Sequence, residues 1–316
     1  MVFFTNIVIF CKKNLETKIF SLPLQCINAL IHRNNQPKNN VFMITVRNLS
    51  FSYPRGSRVF EGLSLALPAG EIIGLLGQNG VGKSTLIKLL AALITPQQGE
   101  VTFDGKNVAR SAELYSRLMV VPEEFTLPKV SVESFVAHTA PLYPAFSREQ
   151  FDTYCKALEV ECSARFTDLS MGQRKKAYLA FALACNAELL LLDEPTNGLD
   201  ITAKAALRSI LAQYADQSKT VIISTHQAHD IENLVDRVVI LHQGDVLINQ
   251  SVSELQQLFG FGITAGHEAI YSQQSVAGTV GIWAADNTEE GRFDLELLFN
   301  AAVKATESVR RVIAQK

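Results

Sequence analysis

The sequence is short of several features that would commit it to a class. No apolar run approaches the roughly 18 residues that a membrane-spanning helix needs, so any membrane role requires another chain. The formal net charge is −2, which leaves no global electrostatic footprint for a nucleic acid. The basic clusters Lys12-Lys13 and Arg174-Lys175-Lys176 are short, and each reads as a solvated face. The five cysteines (Cys11, Cys26, Cys155, Cys162, Cys185) include no C-x-x-C pair and no zinc spacing, a scatter that fits free thiols in a reducing compartment. There is no internal repeat and no coiled-coil arm. What remains is 47% hydrophobic and 19% charged, the balance of a folded globular chain rather than a disordered one. A length of 316 residues suffices for one large domain or two smaller ones.

Against those absences stands Gly77 to Thr85, read as GQNGVGKST. It lies between an apolar run (Ile72, Ile73, Gly74, Leu75, Leu76) and a helix-periodic one (Leu86, Ile87, Leu89, Leu90, Leu93). Strand, glycine-rich turn and helix is the context in which G-x-x-x-x-G-K-[ST] cradles phosphate. Gly77, Gly80 and Gly82 let the backbone turn tightly and aim successive N–H groups inward, Asn79 among them. Those donors and the positive end of the helix favour a polyanion. Lys83 reaches the terminal phosphates, and Ser84, followed by Thr85, offers a hydroxyl to Mg²⁺. A nucleoside triphosphate is the expected ligand.

Residues 1–42 read differently from the rest. The apolar start is too short to span a membrane, and Lys12-Lys13 follow it where a secretory signal would carry charge in front. The stretch is either a membrane-contacting or regulatory tail or a misassigned upstream frame; the second reading, with Met43 as the true start, is favoured here. From Met43 to about Leu247 short β runs alternate with helical ones, as in an α/β domain. Strands are expected near 44–51, 59–67, 101–103, 118–121, 189–192, 220–223, 237–241 and 246–248, the last two closed into a hairpin by Gly244-Asp245. Residues 131–185 look mostly helical, an insertion between the halves of the sheet. Beyond Ser251 one short helix is expected to stop at Gly260, residues 262–282 stay ambiguous, and Asp294 opens a helix running to about Ala314. Its apolar positions pack either on its own domain or on a partner.

Two further signals carry chemistry. The run Leu189-Leu190-Leu191-Leu192-Asp193-Glu194 delivers two carboxylates to a strand's C-terminal end, where ligands bind in open α/β sheets. Asp193 is placed to hold Mg²⁺ and Glu194 to polarise an attacking water. Leu169-Ser170-Met171-Gly172-Gln173, ahead of a helical run, reads by itself as a helix N-terminus capped by Ser170.

Taken together and in this order, these motifs resemble the ATP-binding subunits of ABC transporters, over roughly Met43 to Leu247. The family signature is close to L-S-G-G-Q, and Met171 replaces its first glycine. The resemblance implies an α/β fold, a P-loop NTPase sheet with an antiparallel β subdomain and a helical subdomain at about 124–186, the whole spanning 43–250, with 251–316 as a partly helical C-terminal extension. It implies that Tyr53 stacks on adenine, that Asn197 to Asp200 form a loop crossing a dimer interface, and that His226 contacts the γ-phosphate. It implies ATP and Mg²⁺ as ligands. The nucleotide site is expected to be completed by Ser170, Gly172 and Gln173 of a second ATP-binding subunit, here expected as a homodimer. A separate integral-membrane permease is the implied partner, with no nucleic acid, and the protein is expected on the cytoplasmic face of the membrane. The stretch 193–200 and the basic residues 174–176 look most like export-type subunits. Glu123 stands where the family usually has a neutral glutamine that touches Mg²⁺. The added charge implies either tighter metal dependence or a carboxylate that swings in only with the metal. A GTPase would need an N-K-x-D-like loop, a DNA-repair ATPase a long coiled coil, and a translation factor a second cassette. The remaining alternative is a soluble ATPase of the same fold acting on a cytosolic complex such as iron–sulfur cluster assembly.

Overall fold

The computed structural model describes residues 43–314 except 55, 216–217, 265, 277 and 286–291. The expectations for residues 1–42, with Cys11 and Cys26, lie outside these residues. The chain opens with β1 (Ile44–Ser52) and β2 (Arg58–Leu67), an antiparallel pair. Next come β3 (Ile72–Leu76), the cradle turn and helix α1 (Lys83–Leu90). β4 (Gln98–Phe103) and β5 (Lys106–Asn107) return to β1, giving a four-stranded antiparallel sheet in the order β2-β1-β4-β5. β6 (Leu118–Val121) leads into α2 (Val132–Thr139), α3 (Arg148–Ala157) and α4 (Met171–Ala184). β7 (Leu189–Asp193), α5 (Ile201–Tyr214), β8 (Thr220–Thr225), β9 (Arg237–His242) and β10 (Asp245–Ser251) follow. The second sheet has six strands in the order β10-β9-β3-β8-β7-β6, parallel except for the β9–β10 hairpin.

The near-continuous apolar runs explain why this sheet lies in the middle. All five residues of β3 and of β7 are buried, as in a sheet covered on both faces. Successive side chains point to opposite faces. Ile73, Leu75, Leu189 and Leu191 therefore join the core shared with α1 and the four-stranded sheet. Ile72, Leu76, Leu190 and Leu192 join the core shared with α2 to α5 and the C-terminal helix.

The C-terminal part departs from the expectation. Helix α6 (Val252–Leu258) ends before Gly260, and Phe259 already begins a strand. Strands β11 (Phe259–Ile263), β12 (Tyr271–Ser275) and β13 (Gly278–Ala284) form a three-stranded antiparallel sheet in the order β11-β13-β12. Gly260 is thus a strand residue paired with Trp283, whose indole lies so close that a Cβ would stand 2.2 Å from Nε1. Asp294 does cap a helix, accepting from the Leu297 N–H at 2.8 Å. The expected single helix divides at Ala305 (φ −129, ψ 40) into α7 (Leu295–Lys304) and α8 (Thr306–Ala314). The apolar face of α7 is covered within the chain, against β9, β12, β13 and the 228–230 turn. Among the described residues no helix is long and apolar enough to cross a membrane.

Candidate functional site

β3 carries the chain to the cradle turn, and helix α1 starts at its far end. Gly82 sits at the helix N-cap with φ +112, and a Cβ on it would lie 2.7 Å from Phe60 Cζ and 3.0 Å from Val59 Cγ1. Both backbone and space demand glycine there. Helices α2 to α7 each have a side-chain cap at the N-terminus, from Ser131, Ser147, Ser170, Asp200, Ser251 and Asp294. α1 has none, so its first N–H groups stay open toward an anion. Lys83, 6% exposed, bends back over the turn and donates to the Gly77 carbonyl at 2.7 Å and the Gln78 carbonyl at 3.4 Å. Burial pushes its pKa down, with Glu194, Asp193 and Glu123 pulling the other way.

The ends of β7 and β8 form the facing wall. Asp193 and Ser224 are register partners, and the Ser224 hydroxyl donates to Asp193 Oδ1. Glu194 follows in the left-handed region at φ +46, a conformation that costs a non-glycine residue about 1–3 kcal/mol and persists where the surroundings fix it. Its N–H donates to the Ser224 carbonyl at 3.0 Å. Its Oε1 accepts from His226 Nδ1 at 2.8 Å and lies 3.9 Å from Lys83 Nζ. Its Oε2 is buried with no hydrogen-bond partner among the described residues. That is an acceptor left open on a residue that lines the site.

These elements bring Tyr53, Asn79, Gly80, Gly82, Lys83, Ser84, Thr85, Glu123, Glu194 and His226 to one cleft of about 490 Å³. Gly77 and Asp193 do not line it but adjoin residues that do, Gly77 through its carbonyl bond to Lys83 and Asp193 as the chain neighbour of Glu194. Tyr53 is 40% exposed, stands edge-on to Phe51 at 4.9 Å, and its hydroxyl is 3.3 Å from Thr85 Oγ1. Val59 also lines the cleft, and its role was not legible in the sequence. Ser84, Asp193 and Glu123 supply only oxygen donors. Among the described residues no group of three or more His, Cys, Asp or Glu could hold a metal by itself. The oxygen donors of Ser84, Asp193 and Glu123 suit Mg²⁺, which takes one or two protein ligands and completes its shell with phosphates and water.

Ser170, Gly172, Gln173 and Asp200 do not line this cleft. Ser170 and Gln173 form a reciprocal capping box, Ser170 Oγ accepting from Gln173 N at 3.2 Å and Gln173 Oε1 accepting from Ser170 N at 3.0 Å. Gly172 packs on the 198 turn, where a Cβ would stand 2.9 Å from the Gly198 carbonyl oxygen. Met171 is 84% exposed and displaces nothing. Asp200 caps α5 and accepts from Lys176 Nζ at 2.8 Å, an ion pair that holds its carboxyl below the usual range.

The basic run 174–176 is not the solvated face expected of it. Arg174 Nε donates to the Phe166 carbonyl at 2.6 Å, and Lys175 and Lys176 are buried. Lys175 Nζ donates to the carbonyls of Glu194 at 2.6 Å and Asn197 at 3.0 Å. Asn197 in turn donates from Nδ2 to Glu123 Oε1 at 3.2 Å. The sequence gives no hint of these contacts, because the partners come from three separate strand ends and loops. Ser224 was legible only as the residue two before His226.

The family model for ABC transporters matches residues 60–197. An uncharacterised ABC transporter ATP-binding protein of Methanocaldococcus jannaschii is 32% identical over 207 residues, covering 64% of this chain and 74% of that one. The SkfA peptide export ATP-binding protein SkfE of Bacillus subtilis is 29% identical over 221 residues, covering 68% and 92%. A solved structure of the ATP-binding subunit of an ABC transporter superposes with a TM-score of 0.61 at 26% identity, covering 68% of this chain and 92% of that one. With a relative 32% identical of which it covers 74%, and a shared fold, this chain belongs to the ATP-binding proteins of ABC transporters, enzymes that hydrolyse ATP.

Proposed function

We propose that this chain binds and hydrolyses ATP with Mg²⁺ as one of two subunits that close around two ATP molecules, and that the pair drives a separate membrane permease. Outward transport is the favoured direction, supported by the relative named for peptide export. The observation carrying the two-subunit reading is that the cleft has a cradle, a carboxylate wall and an adenine-side aromatic, while Ser170, Gly172 and Gln173 face elsewhere. Those three reach a triphosphate only when another subunit presents them. ATP then adds contacts that exist only in the closed pair, so binding and closure are coupled. Such a protein sits on the cytoplasmic face of a membrane through its permease.

Within one subunit the geometry supports the following roles. Asn79, Gly80, Gly82 and the uncapped start of α1 take the phosphates, and Lys83 exchanges its two carbonyls for phosphate oxygens. Tyr53 stacks on the adenine. Ser84, Asp193 and Glu123 would hold Mg²⁺, which neutralises charge on the phosphate oxygens. Glu194 takes the proton of the attacking water on Oε2, while His226 fixes the carboxylate through Oε1. Two variants test this. Glu194→Gln is expected to bind ATP as tightly as wild type and to lose roughly 10²- to 10⁴-fold in rate; hydrolysis at the wild-type rate sinks the assignment. Lys83→Ala is expected to lose tight nucleotide binding itself, read by titration with a fluorescent ATP analogue.

A further inference from the structure

We propose that Lys175 is a positioning residue for hydrolysis, its ammonium pinning the 194–197 turn so that the Glu194 carboxylate points into the cleft. The inference rests on the reading of Glu194 as the base. Lys175 is 5% exposed and comes from the second turn of α4, the helix that Ser170 opens. A buried ammonium is costly unless its N–H groups are satisfied, and two of them go to the carbonyls of Glu194 and Asn197. Both acceptors belong to one tight turn, in which Asn197 N also donates to the Glu194 carbonyl at 3.2 Å.

The turn needs such a clamp. Glu194 holds φ +46, and a side chain in the left-handed region stays there only when its neighbours over-determine it. The Ser224 carbonyl fixes the Glu194 N–H from one side, and Lys175 fixes its carbonyl from the other. The Asn197 side chain is tied to Glu123, which follows the neighbouring strand β6, so the turn is held at both ends. Released, the backbone at Glu194 can relax toward ordinary dihedrals and swing the carboxylate off His226 and off the cleft. Lys175 does not itself line the cleft and reaches its lining through the Glu194 backbone carbonyl, so its effect is on aim rather than on nucleotide affinity.

The test uses Lys175→Met in the full chain, measuring ATPase kinetics and the Kd of a non-hydrolysable ATP analogue. The expected result is a fall in kcat of about tenfold or more, since misplacing a catalytic group by about 1 Å can cost 10²-fold, with Kd within about twofold of wild type. In a Glu194→Gln background the same change should alter the single-turnover rate by less than about twofold, because Lys175 acts through Glu194. An unchanged kcat overturns the proposal. So does an equal loss in both backgrounds, or a loss matched by weaker nucleotide binding, which are marks of a merely structural role. Should Lys175→Met not fold, Lys175→Gln keeps a donor for one carbonyl and is read by the same criteria. If Glu194→Gln alone keeps the full rate, the base assignment fails instead, and the two failures are told apart.

Discussion

Gly82 closes the cradle turn at φ +112, with Phe60 2.7 Å from where a Cβ would stand; Gly260 lies in β11 with Trp283 Nε1 only 2.2 Å from the same point. The first glycine is demanded by its own backbone and announced by the motif residues within a few positions of it, although the side chain that crowds it, Phe60, lies farther off. The second is demanded only by a tryptophan on the neighbouring strand, which its surroundings in sequence do not announce. A positive φ and a phosphate-binding spacing are local properties. A bare strand face under an indole is a property of pairing. Hence the first region can be read ahead of the structure, whereas the second reads as a helix stop.

The largest effect expected from breaking this contrast is at Gly82. Alanine there meets a left-handed backbone worth roughly 1–2 kcal/mol and an overlap with Phe60 worth about 1–3 kcal/mol. ATP affinity, measured by titration, should fall steeply while the C-terminal sheet stays intact. If affinity holds, the cradle tolerates a side chain and its glycine is a matter of composition. Gly260→Ala should do the reverse. Overpacking against Trp283 costs about 1–3 kcal/mol, concentrated in β11 and β13. Trp283 is the one tryptophan of the chain and is stacked on His267 at 4.0 Å, so its fluorescence reports that sheet alone. A shifted emission and lower melting midpoint with unchanged ATP affinity is the expected outcome; a joint loss of both would mean the two regions melt as one unit.

The same distinction accounts for what the sequence disclosed elsewhere. Leu189 to Glu194 was readable because an apolar run ending in two carboxylates is contiguous, and the structure buries every residue of β7. The capping signals at Ser170 and Asp294 were readable because each cap bonds a backbone N–H three residues on. β12 was not readable: Tyr271-Ser272-Gln273-Gln274-Ser275 is polar and is a strand only because β13 pairs with it. Nor was the break at Ala305, since the apolar spacing runs straight through it. Lys175 is the sharpest miss. Its charge placed it on the surface by default, and only the approach of the 194–197 turn gives its ammonium partners that repay burial.

The smallest predicted effect tests whether the C-terminal part reaches the cleft at all. Asp294 caps α7, and replacing a capping aspartate by alanine costs about 1 kcal/mol. α7 lies on the 228–230 turn, which begins two residues after His226. Asp294→Ala should therefore lower the melting midpoint followed by Trp283, yet leave ATP hydrolysis within about twofold, because a cap lost at one helix end loosens only its first turn. A larger drop in kcat would mean that α7 steadies the turn beyond His226 and with it the Glu194 carboxylate. The cleft would then depend on a packing contact that no cradle motif encodes, and the two regions would differ in legibility but not in function.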